Sequence, residues 1–128
     1  MILQHKFVTN IPDQLEDGVL YISIEYCTAI HKCICGCGNE VVTPLSPTGW
    51  SLTFNGKTIS LNPSIGNWNF ECKSHYWIKN SKIEFARTWS DKEIRKGKNK
   101  RRKKLNIFFS KKKIHFFAFW VFSGINLS

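Results

Sequence analysis

The residues best suited to hold a metal ion fall in two short clusters. HKCICGCGNE (31–40) places Cys33, Cys35 and Cys37 at alternate positions behind His31, and ECKSHYW (71–77) adds Cys72 and His75 at C-x-x-H spacing. Thiolate and imidazole together are borderline-soft ligands that suit Zn2+, and four well-spaced cysteines of an iron–sulfur type are missing. Gly36 and Gly38 let the backbone fold back, so that sulfurs two residues apart can converge on one ion. A closed tetrahedral site would take two of the three N-terminal cysteines together with Cys72 and His75. Cys37 is the first choice, and the spacing does not separate Cys33 from Cys35. Cys27 stands outside both clusters and is expected to be a core thiol, while His5 and His115 have no companions.

A second chemistry is available in NPSIGNWNF (62–70). Ser64 can act as a nucleophile if a base lies within hydrogen-bond reach, with His31 or His75 as that base and the Gly66 and Asn67 amides as oxyanion donors. The plain alternative is that a serine after proline only satisfies a turn. A metallohydrolase would instead leave one zinc position open to water and need Glu40 or Glu71 as base. His75 cannot both close a zinc site and serve as a free base.

These residues need turns held by strands. DGVLYISIEY (17–26) alternates as a half-buried strand does. In WSLTFNGKTISL (50–61), Asn55-Gly56 between two alternating runs predicts a hairpin with a tight type I′ turn. HYWIKNSKIEFA (75–86) repeats the pattern with Asn80-Ser81, a weaker turn signal because serine disfavours positive φ. The intervening NPSIGNWNF reads as an ordered loop. Trp50, Trp68, Trp77, Trp89, Phe54, Phe70 and Phe85 are the expected core. Ser90 and Glu93 predict a short helix with a reciprocal cap over 90–97.

The 128 residues fit one domain, and the formal charge of +10 is unevenly placed. Residues 1–91 hold seven Lys/Arg against eight carboxylates, whereas residues 92–128 hold twelve against one. The basicity therefore belongs to a tail, and it implies nucleic acid or anionic lipid only if KNKRRKK is a functional arm. The longest apolar run, IHFFAFWVF (114–122), is too short to span a bilayer as a helix. Without an export signal, five cysteines read as reduced thiols in the cytoplasm rather than as a disulfide framework.

The stretch from Gly18 to Ala86, with its CxCGCG block, PSIGNW loop and CxSHYWI block, resembles the BubE-type family. These are small bacterial proteins, some encoded beside ubiquitin-like modifiers and their activating and conjugating enzymes. The resemblance covers about residues 1–95. It implies metal ligands among Cys33, Cys35, Cys37, Cys72 and His75, a functional role for Ser64, and peptidase-like processing of a ubiquitin-like protein. Its implied partners are that protein or its conjugating enzymes.

The resulting expectation is a mostly β, zinc-stabilised domain of antiparallel hairpins over residues 1–95, with a short C-terminal helix. Residues 96–128 form a basic and apolar tail, expected to be disordered or foreign to the domain. The candidate catalytic pair is Ser64 with His31. A zinc-stabilised binding module without catalysis is the competing function.

Overall fold

A computed structural model describes residues 1–87, 90–111 and 125–127. The chain is mostly β, as its alternating segments require. Strands β1 (Gln4–Phe7), β2 (Val19–Ser23), β3 (Thr28–Lys32) and β4 (Glu40–Pro44) form one sheet in that order. Strands β5 (Ser51–Phe54), β6 (Ile59–Gly66), β7 (His75–Lys79), β8 (Lys82–Phe85) and β9 (Ile125–Leu127) form the other, in the order β8-β7-β6-β5-β9.

Both sheets contribute to one apolar cluster. Leu20, Ile22, Ala29 and Val41 come from the first, and Leu52, Ile59, Leu61, Ile65, Tyr76 and Ile78 from the second. The expected aromatic core is therefore corrected to an aliphatic one. Trp50, Phe54 and Phe70 pack only partly buried against its margin, and Phe85 is 59% exposed. Aliphatic side chains fill the narrow space between two pleated sheets, whereas indoles and phenyl rings are left at the rim, where one face stays wet. Trp89, His115 and the run 114–122 lie outside the described residues.

Not every pairing is antiparallel. β1 runs parallel to β2, and β9 parallel to β5. The linker after β1 carries Leu15, which joins Val19 and Tyr21 in a second small cluster and so anchors the return path. All five residues of β2 are buried, because the strand packs the main core on one face and this smaller cluster on the other.

The two predicted hairpins form, but the tight two-residue turn lies in the second rather than the first. Phe54 pairs with Ile59, leaving a four-residue loop in which Gly56 has φ 94° and Asn55 is not left-handed. Asn55 works through its side chain: Oδ1 accepts from the Lys57 and Thr58 amides at 2.9 and 2.8 Å. The two-residue turn lies at Asn80-Ser81, where both residues have positive φ (49° and 62°) and Lys79 pairs directly with Lys82. Tertiary bonds offset the strain, since Ser81 is buried and exchanges bonds with Ile59 through its amide (2.7 Å) and its hydroxyl (3.0 Å).

Residues 62–66 correct the loop expectation. They belong to β6, with a register shift between Leu61 and Ile65. The irregularity accommodates Pro63, which has no N–H for a ladder. Helix α1 (Asp91–Lys111) begins with the expected cap: the Glu93 amide donates to Ser90 Oγ at 3.3 Å, and Glu93 also binds Arg87. It continues well past Gly97, and Ile94 is buried while Arg101 lies 5.1 Å over the Trp50 ring. Among the described residues no helix is long and apolar enough to cross a membrane.

Candidate functional site

The loop between β3 and β4 is built by its glycines. Gly36 and Gly38 have φ of 90° and 83°, the Gly36 amide reaches Cys33 O, and the Cys33 amide closes the loop on Asn39 O at 2.8 Å. This folds Cys33, Cys35 and Cys37 toward one point. Cys72 arrives from the turn before β7, a turn that Lys73 makes at φ 44°.

The four sulfurs lie within 4.8 Å of one another. Cys33 Sγ is 3.4 Å from Cys35 Sγ and 3.8 Å from Cys72 Sγ, and Cys37 Sγ is 3.8 Å from Cys72 Sγ. Zinc–thiolate bonds of about 2.3 Å set the edge of a tetrahedron near 3.8 Å, so the sulfurs fit a divalent ion of that kind. All five cysteines are free of disulfides.

The surroundings favour the thiolate at two of the four sulfurs, Cys37 and Cys72. The Asn39 main chain hydrogen-bonds Cys37 and brings its thiol down to about 6. At Cys72 desolvation opposes ionisation, but hydrogen bonds from Ser74 prevail and the thiol falls below its ordinary value. Desolvation raises Cys33 and, with the neighbouring Cys37 and Cys33 thiols, pushes Cys35 up to about 12. A cation held among the four sulfurs would favour the thiolate at each of them and so offset that desolvation.

The structure does not bring His75 to the cluster. Its Nε2 stands 2.8 Å from Ser64 Oγ. The sequence pairing of Ser64 with His31 is likewise replaced. His31 is fully buried, with Nε2 2.7 Å from the Tyr76 hydroxyl, and burial drops its pKa to about 4. A neutral imidazole locked in the core serves packing, whereas His75 has its Nε2 on the Ser64 hydroxyl.

Strand geometry explains the pair. Gly66 is the cross-strand partner of His75, and Ser64, two residues along β6 in the stretch where the register shifts, brings its hydroxyl to the imidazole. The ring is held by aromatic neighbours, Trp68 at 5.0 Å and Trp77 at 5.6 Å between centroids. Desolvation lowers the His75 pKa below the ordinary 6.5, and a main-chain hydrogen bond at Arg87 partly counters it.

Of the two expected oxyanion donors, the Asn67 amide is committed to Ser74 O at 2.8 Å. Asn67 has a different part, which the sequence reading missed. Its Nδ2 donates to Ser74 Oγ at 2.9 Å, and Ser74 Oγ lies 3.1 Å from Cys33 Sγ. Asn67 and Ser74 thus tie the sulfur cluster to the segment joining Ser64 to His75. The signal was faint: Ser74 sits between two flagged residues, Cys72 and His75, in CKSH. Glu40 and Glu71 are both exposed.

A cleft of about 170 Å³ opens beside this segment, walled by Val41, Trp50, Gly66, Trp68, Phe70 and Arg101. The family model described as "Bacterial ubiquitination-like system serine protease (BubE)" matches residues 7–86, a span holding the four sulfurs, Ser64 and His75. No curated protein and no solved structure matches the chain.

Proposed function

The chain belongs to the BubE family, and from that premise we propose that it is a small Ser–His peptidase acting on a ubiquitin-like protein. The observation that carries this reading is the 2.8 Å contact between Ser64 Oγ and His75 Nε2 inside the matched span. In the reaction, His75 Nε2 takes the Ser64 hydroxyl proton as Oγ attacks the scissile carbonyl. It then delivers that proton to the departing amine, leaving an acyl-serine. Water, deprotonated by the same nitrogen, releases the acid and restores the hydroxyl. Burial favours the neutral imidazole that the first step requires. The substrates are precursors or conjugates of a ubiquitin-like protein, cut after its C-terminal residues.

Cys33, Cys35, Cys37 and Cys72 would hold Zn2+. Held there, it would cross-link the β3–β4 loop to the turn before β7. Four thiolates close the coordination sphere, which supports a structural ion and a protein-borne nucleophile. Free thiols of this number also fit a reducing cytoplasm.

The test is cleavage of the cognate ubiquitin-like precursor by wild type and Ser64→Ala. Loss of turnover, with metal content and melting unchanged, is the expected result. Wild-type turnover by Ser64→Ala removes the serine mechanism. Binding of the partner without turnover by the wild type would leave a zinc-stabilised binding module.

A further inference from the structure

His75 must present one ring nitrogen to Ser64 in a fixed direction, and its strand neighbours alone do not accomplish that. Its cross-strand partner is Gly66, which offers no side chain to pack against. The space is occupied by Trp68. A Cβ built on Gly66 would lie 2.5 Å from both Cε2 and Nε1 of the Trp68 indole, and 2.7 Å from Cζ2. Those contacts are to the body of a rigid ring, so any side chain at position 66 displaces the indole. Gly66 has no left-handed φ to account for its identity. The same indole meets His75 edge to face, at 5.0 Å and 65°.

We propose that Trp68 is a positioning residue for His75, and that Gly66 is bare because its Cα is the seat on which that indole lies. This rests on the reading of Ser64 and His75 as nucleophile and base. Trp77 flanks the ring at 5.6 Å in a tilted arrangement, so the imidazole is confined between two indoles. An edge-to-face contact defines the plane of the smaller ring, and a hydrogen bond alone leaves that plane free to rock. His75 is only 7% exposed, with both indoles against its ring.

A fluorophosphonate probe reads this without knowledge of the natural substrate. Labelling forms the Ser64 Oγ–phosphorus bond, expels fluoride and passes the hydroxyl proton to His75 Nε2. Its rate is measured against pH for wild type, Gly66→Ala, Trp68→Leu and Trp68→Phe, with metal content and melting followed in parallel. Gly66→Ala and Trp68→Leu are expected to label slower by about tenfold to a hundredfold, the range expected for an ångström-scale misplacement. Trp68→Phe, which keeps a ring, should fall between them and wild type.

The pH dependence separates positioning from simple damage. Uncovering His75 weakens the desolvation that lowers its pKa, while the Arg87 charge that also lowers it remains. The half-maximal pH should therefore move up in Gly66→Ala and Trp68→Leu. Wild-type rate and wild-type midpoint in both variants would overturn the proposal. A different failure marks the underlying reading: labelling that persists in Ser64→Ala, or proceeds at the wild-type rate in His75→Gln, sinks the pair itself.

Discussion

At the scale of single residues, the decisive allocation is between His31 and His75. Both were candidates for the base, and His75 was also a candidate ligand. The two sites differ in what surrounds Nε2: a tyrosine hydroxyl in the core for His31, a half-buried serine hydroxyl for His75. A pH prediction follows for turnover. In the proposed mechanism the working base is the neutral His75 imidazole, and burial lowers its pKa, so the neutral form persists to more acidic solution than for a free histidine. The acid limb of kcat/KM should therefore have its midpoint below 6.5. A midpoint above the ordinary histidine value, in a pH–rate profile on any cleaved substrate, would contradict the assignment. The sulfur residues give a second prediction. Structural zinc is worth about 10–16 kcal/mol in small peptides, as much as the whole stability of a domain of this size. Cys72→Ser should lose metal and unfold at ambient temperature, whereas His75→Ala should keep about one ion per chain. Elemental analysis with thermal melting checks both, and metal loss in His75→Ala would return that residue to the ligand set.

At the scale of elements, the two hairpins show how a turn signal and its stabilisation can part company. Asn55-Gly56 reads as a type I′ turn, yet the chain makes a longer loop capped by the asparagine side chain. Asn80-Ser81 reads weakly, yet both residues are left-handed because Ser81 is bonded on two sides to Ile59. Ser81→Ala keeps the strain and removes the hydroxyl that accepts from the buried Ile59 amide. It should cost about 1–3 kcal/mol, the penalty for a buried group left without a partner. Asn55→Ala, whose acceptor caps amides at an exposed loop, should cost about 1 kcal/mol. Urea denaturation of the two variants decides, and equal small losses would show that Ser81 is held by the turn alone.

At the scale of the whole molecule, the family match ends at residue 86 while the described fold continues. Helix α1 buries Ile94, sets Arg101 over Trp50 and donates from Lys98 to Asn69 Oδ1 at 3.0 Å. Every sulfur of the cluster and both members of the Ser–His pair precede it. Truncation after Arg95 also removes the edge strand β9 beside β5, yet it should leave metal binding and the cooperative melt in place, with Trp50 more exposed to water. Fluorescence of the truncated chain should shift to the red, and a truncated chain without metal would show that the helix or β9 is part of the domain's core.

The sequence by itself determined the β class, the hairpins, the cap at Ser90 and Glu93, and the gathering of sulfur at two turns. Those features are local: alternation has a period of two, a cap spans three residues, and cysteines two apart in a glycine-rich loop have little choice of direction. What only the tertiary structure decided was pairing over distance. Which histidine meets Ser64 depends on the register of β6 against β7, and a residue's spacing along the chain says nothing of the strand beside it. The same register set the fate of the aromatic residues. The narrow interior between two sheets went to aliphatic side chains, and the indoles were left at its edge, where two of them enclose His75.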